Sequence, residues 1–69
     1  MSKDEIKKLA EYTGRLWVLY QKMIYKPITD ENFEEYLEEC RKVWEESKRD
    51  QLVLDMALNF AADLERRGA

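Results

Sequence analysis

Between Ile6 and Met23 apolar residues recur three and four apart: Ile6, Leu9, Leu16, Tyr20 and Met23, with Thr13 as a half-apolar member and Ala10, Trp17 and Ile24 alongside. That spacing describes one face of an α-helix. Ser2 followed three residues later by Glu5 is a capping box and marks the start. Pro27 has no amide hydrogen and pushes Lys26 out of the helical region, so this helix is predicted to end near Tyr25. Gly14 falls on its polar side, at a cost of ~1 kcal/mol relative to alanine. A second stripe, Phe33, Tyr36, Leu37, Cys40, Val43 and Trp44, starts behind Thr29 or Asp30. With Thr29 as N-cap, Ile28 and Phe33 have the spacing of a hydrophobic staple. After a Ser47-Lys48-Arg49 turn, a third helix is predicted from near Asp50 to Arg67, with Gly68 as the residue just past its end.

These boundaries (2–25, 29–47 and 50–67) leave short connections, which make consecutive helices antiparallel neighbours. The predicted fold is all-α, a single domain over 1–69 built as an up-down-up three-helix bundle and open to dimerisation. On the third helix Val53, Met56, Ala57, Phe60 and Leu64 form the core stripe. Leu54, Leu58 and Ala62 then make a second ridge at four-residue spacing on a neighbouring side, the kind of ridge that packs into another helix. On the first helix Val18 projects opposite the main stripe, and Tyr12 and Leu19 widen one flank. Val18, Leu19, Leu54, Leu58 and Ala62 are therefore the candidate interface residues. Tyr12, Tyr25 and Tyr36 are read first as buried core or core-edge residues, with interface anchors as the alternative.

Composition narrows the chemistry. The 69 residues are 45% hydrophobic and 39% charged, with two glycines, one proline and one cysteine. This is neither a disordered composition nor a disulfide scaffold. Histidine is absent, which removes the commonest general base and metal ligand. The net charge of −3 argues against direct nucleic-acid binding, which calls for a basic stripe. No signal-like segment opens the chain, and its longest apolar run, Leu16 to Tyr20, is far too short to span a bilayer. With a lone cysteine these features predict a cytoplasmic protein without membrane contact. The chain begins at Met1 and carries no recognisable tag, as a complete small gene product would.

The second helix is the most charged element. Asp30, Glu31, Glu34, Glu35, Glu38, Glu39, Glu45 and Glu46 face only Arg41 and Lys42. Acids in the first turn complement the helix dipole, and Glu38 with Lys42 is a favourable i,i+4 pair. Glu31-Glu35-Glu39 and Glu34-Glu38 are mildly repulsive ladders. The face is read first as solvated surface; the alternative is a carboxylate surface of Glu31, Glu34, Glu35, Glu38 and Glu39 that mimics nucleic-acid phosphates. Carboxylates on a flat helix make no closed metal cage. Asp55, Asn59 and Asp63 read as a polar stripe, with Arg66 or Arg67 pairing Asp63. Cys40 lies within an apolar stripe, without a cationic neighbour to activate it, and reads as a small buried hydrophobe. No catalytic residue, cofactor, metal or small-molecule substrate is expected.

The order of segments carries one resemblance. Leu16-Trp17-Val18-Leu19-Tyr20 is followed by Thr29-Asp30-Glu31-Asn32-Phe33, then an acidic helix with Trp44, then an aliphatic helix ending Leu64-Glu65-Arg66-Arg67. This pattern resembles small, uncharacterised helical proteins encoded by bacterial phages and prophages. It extends over most of the chain and rests on helix pattern alone, so it supplies no functional residues. What it implies is context: such proteins often bind and redirect host or defence proteins. Two functional expectations stand side by side. One is a non-catalytic interaction module that binds a protein partner or itself. The other is an acidic inhibitor of a host or defence enzyme that binds nucleic acid.

Overall fold

The computed structural model describes residues 2–68, as three α-helices: α1 (Lys3–Ile24), α2 (Asp30–Glu46) and α3 (Gln51–Gly68). Each start is capped as its sequence dictates. Ser2 and Glu5 form the reciprocal capping box. The Thr29 hydroxyl accepts from the Asn32 amide at 3.1 Å. The Asp50 carboxylate accepts from the amides of Leu52 and Val53. These acceptors satisfy amides that a helix start otherwise leaves without partners.

α2 runs antiparallel to both of its neighbours. Its C-terminal end meets the N-terminal half of α1, where Arg15 pairs with Glu46 at 2.5 Å and the Tyr12 hydroxyl donates to the Glu46 carbonyl. Its N-terminal end meets the C-terminus of α3, where Ile28, Asp30 and Phe33 lie with Glu65 and Gly68. The predicted up-down-up bundle is what the chain forms, 40 Å long and 17 by 15 Å across. Among the described residues no helix is long and apolar enough to cross a membrane.

The core consists of Leu16, Tyr20 and Met23 from α1, Tyr36, Cys40 and Val43 from α2, and Val53, Ala57, Ala61 and Leu64 from α3. Three expectations need correction. Leu37, placed in the core by its stripe, is 40% exposed because it stands on the α3-facing edge of α2. Phe33, Trp44, Met56 and Phe60 are only partly buried and pack around the core. Tyr25, expected to be buried, is 83% exposed, since it caps α1 just where Pro27 turns the chain away.

Gly68 also departs from expectation, because it is the last residue of α3 rather than a left-handed residue beyond it. A Cβ there would come within 2.9 Å of the Ile28 side chain, so Gly68 allows the α1–α2 loop to close against the end of α3. The α2–α3 turn holds the unusual backbone instead. Lys48 and Arg49 both have positive φ, at 60° and 61°. Such residues lack the tolerance of glycine or asparagine for this region, at roughly 1–2 kcal/mol each. The turn is held by Lys48 and Arg49 amides donating to the carbonyls of Glu45 and Trp44, and by the Ser47 hydroxyl accepting from Asp50.

Leu64 and Leu37 separate the core from its rim. Leu64→Ala is expected to destabilise by ~2–5 kcal/mol, as a fully buried leucine should. Leu37→Ala should cost much less, about 1 kcal/mol or under, because much of that side chain is already in water. Chemical denaturation of both variants checks this; equal losses would place Leu37 in the core after all.

Candidate functional site

An almost wholly apolar concavity lies between α2 and α3. Leu37, Cys40, Arg41 and Trp44 line it from α2, and Leu54, Ala57 and Leu58 from α3, around a volume of about 180 Å³. Ala57 is buried on α3 and lines this groove, where its small side chain leaves a furrow between the helices. Leu58 is 57% exposed on the rim. Arg49 from the turn lies over the Trp44 ring, 5.5 Å from its centre, within cation–π range. The buried Trp44 Nε1 has no hydrogen-bond partner among the described residues.

Cys40 is buried where α2 faces α3. Burial pushes its thiol above the usual range; contact with the Tyr36 hydroxyl works in the other direction, and the Glu39 charge adds to the rise. The Tyr36 hydroxyl is itself driven upward, chiefly by burial and then by Cys40. Its oxygen makes no hydrogen bond of ordinary geometry, and the adjacent thiol is a weak partner at best. A thiol held protonated in this way is a poor nucleophile.

The five candidate interface residues do not form one surface. Leu54 and Leu58 line the α2–α3 groove, and Ala62, exposed one turn further along α3, continues that flank. Val18 and Leu19 lie instead on an open groove between α1 and α2, with Ala10, Gly14, Arg15, Glu39 and Val43. Val18 and Leu19 thus form a zone separate from the α3 ridge. The two flanks lie on different sides of the bundle.

Sequence reasoning also missed a third exposed strip. Ile6, Trp17 and Ile24 on α1 are each more than 40% exposed, and so is Leu52 on α3. Trp17 packs its ring on Tyr20 and Phe60, which places the α1 part of this strip on the α1–α3 seam. The signal was in the spacing, because steps of eleven and eighteen residues from Ile6 return to the same side of a helix.

The acidic face of α2 has less free charge than its composition suggests. Glu31, Glu34, Glu35 and Glu38 are exposed and Glu39 is half-buried. Glu38 pairs with Arg41 at 2.9 Å and Glu39 with Lys42 at 3.2 Å. The expected Glu38–Lys42 pair is thus replaced by two i,i+3 pairs. Among the described residues no group of three or more metal-binding side chains is gathered.

Asp63 joins α1 to α3. Its carboxylate accepts from the Tyr20 hydroxyl and from both Arg66 and Arg67, each at 2.6 Å. Both arginines take the role expected of one. The Tyr20 hydrogen bond, followed by that from Arg67, holds the Asp63 carboxyl down at about 2. No protein-family model, curated protein or solved structure matches this chain.

Two outcomes follow for the polar groups. Tyr36→Phe is expected to leave stability unchanged or raise it by about 1 kcal/mol, because it removes a buried hydroxyl with no good partner. A fall of the thermal midpoint would show that the hydroxyl is satisfied. Asp63 stabilises the fold fully above its unfolded value near 3.8, and the contribution is lost as pH falls from there through about 2. Asp63→Asn should therefore lower the midpoint at pH 7 and make little difference at pH 2. An equal deficit at both values would show that the charge is not what matters.

Proposed function

We propose that this protein is a non-catalytic helical interaction module that associates with itself through the α2–α3 groove. The observation that carries this reading is Leu58, more than half exposed beside Leu37 and Leu54 in an almost wholly apolar furrow. Burying a leucine is worth ~1.5–3 kcal/mol, and a twofold contact uses each residue twice. A bundle of 69 residues is near the lower limit of independent stability, so that gain is large relative to its own.

Catalysis has little support. The chain has no histidine, and its one thiol is buried and held protonated. The acidic-inhibitor reading is the weaker alternative, since Arg41 and Lys42 occupy two of its five carboxylates. Salt separates the two: mimicry of phosphates should weaken steeply with ionic strength, whereas apolar association should not.

Leu58→Glu tests the proposal. Wild type is expected to be dimeric by light scattering at micromolar concentration, and the variant monomeric with unchanged helicity. A wild-type monomer across the micromolar range would defeat self-association.

A further inference from the structure

The α1–α3 seam is filled where the other two seams are open. Trp17 stacks on Tyr20, and Tyr20 on Phe60, with ring centres 5.5 and 4.7 Å apart. Apolar grooves run instead along α1–α2 and α2–α3. The outer surface of the filled seam is still apolar. Ile6 and Ile24 lie within about 20° of Trp17 round α1, and all three are more than 40% exposed. On α3 the exposed Leu52 lies within about 20° of Asp63, whose carboxylate accepts from the Tyr20 hydroxyl. This face therefore presents an indole and three aliphatic side chains to water without a furrow between them.

Its charges are in positive excess. Lys3 and Lys7 stand about 40° and 80° from Trp17, on the side away from the core. Both are exposed, and neither is in an ion pair among the described residues. The acids of α1, Asp4, Glu5 and Glu11, all stand about 120° or more from Trp17. The other bases of α1 belong to the α2 side: Arg15 pairs with Glu46, Lys8 lies near Glu46 and Asp50, and Lys22 and Lys26 lie near Glu35 and Glu39. On α3 Arg66 and Arg67 share the one Asp63 carboxylate, so that cluster keeps a positive charge. Asp55 stands about 80° from Asp63, at the edge of the face, and accepts from Gln51. With Asp55 counted, the face holds four bases against two acids, and the rest of the chain thirteen acids against eight bases.

We infer that the α1–α3 face rests on an anionic lipid surface, with α1 lying in the plane of the headgroups. Trp17, Ile6, Ile24 and Leu52 enter the boundary between headgroups and acyl chains, where an indole is at home. Lys3 and Lys7 lay their apolar stems along that boundary and bring their ammonium groups to the anionic headgroups. A lipid surface asks for no matching shape, which suits a filled seam; a protein partner asks for one. α2, with most of the acids, lies across the bundle from this seam and points away from the lipid. The contact is peripheral, as no helix among the described residues can cross a membrane. It departs from the expectation of no membrane contact, which rested on the lack of a spanning segment. It is also independent of self-association, because the α2–α3 groove is on another side.

Sedimentation of the full chain with vesicles tests this, at physiological salt, where charges beyond about 8 Å are largely screened. Wild type is expected to sediment with vesicles that are about half phosphatidylglycerol and not with pure phosphatidylcholine. Lys3→Glu combined with Lys7→Glu should weaken binding at least about tenfold. Lys22→Glu combined with Lys26→Glu, the same change of charge on the far side of α1, should stay within roughly threefold of wild type. Ile6→Ser combined with Ile24→Ser leaves every charge in place and should also weaken binding at least about tenfold. Circular dichroism checks that each variant folds, and Ile6→Ser alone replaces the isoleucine pair if that pair loses helicity. Equal losses from the two lysine pairs would show that net charge alone governs binding and would overturn the assignment of this face. Full binding by the isoleucine variant, or equal binding to neutral vesicles, overturns it as well. A wild type that stays in solution with anionic vesicles overturns the lipid surface and leaves an acidic protein as the chemistry this face fits.

Discussion

No helix of this protein can bury its apolar stripe without both of the others. Leu16, Val53 and Leu64 are fully buried, and each reaches that state only where three helices converge. The stripe of α2 is shared between α1 on one flank and α3 on the other. Isolated helices of 17 to 22 residues are marginal in water, so mutual burial rather than intrinsic propensity holds the elements. The polar links reinforce the same joints: Tyr12 and Arg15 fasten α1 to the end of α2, and Tyr20 with Asp63 fastens α1 to α3.

That constraint also explains the exposed surface. Three helices around one axis bury only the inward third of each circumference, so a stripe wider than that must spill onto a flank. On α3 the ridge through Leu54 and Leu58 spills toward α2, where Ala57 leaves a furrow beside it. On α1 the excess spills toward α3, as Ile6, Trp17 and Ile24. The small residue and the furrow have one origin. A larger side chain at Ala57 would fill the groove and push α2 away from the core.

The helices, their caps and the bundle topology were legible in the sequence because each depends on local pattern. Ser2, Thr29, Asp50 and Pro27 act within a few residues of themselves, and their effects can be read without knowing the fold. The assignment of Leu37 to the core failed for the opposite reason. Its place in the stripe is genuine, but the direction from which α3 approaches decides whether that edge is covered. A helical wheel likewise shows that Val18 and Leu19 share a flank of α1, and not which side of the bundle that flank joins. Gly68 looked like a terminator because glycine so often is one. Its use here is a close approach to Ile28, a residue forty positions away in the chain that no local reading connects to it.

The α2–α3 turn shows how local backbone geometry and the groove depend on one another. Without left-handed geometry at Lys48 and Arg49 the chain could not reverse within so few residues, and a longer connection would let α3 slide along α2. The tight turn sets the register that puts Leu58 opposite Leu37 and Leu54 beside Trp44. It also folds Arg49 back over the Trp44 ring, covering one end of the apolar surface with a cation. Glycine would make the turn with less strain, but it would supply neither the guanidinium nor the ammonium. The strained backbone thus brings the Arg49 guanidinium onto the Trp44 ring. The leucine-lined groove follows from the turn as much as from the helices.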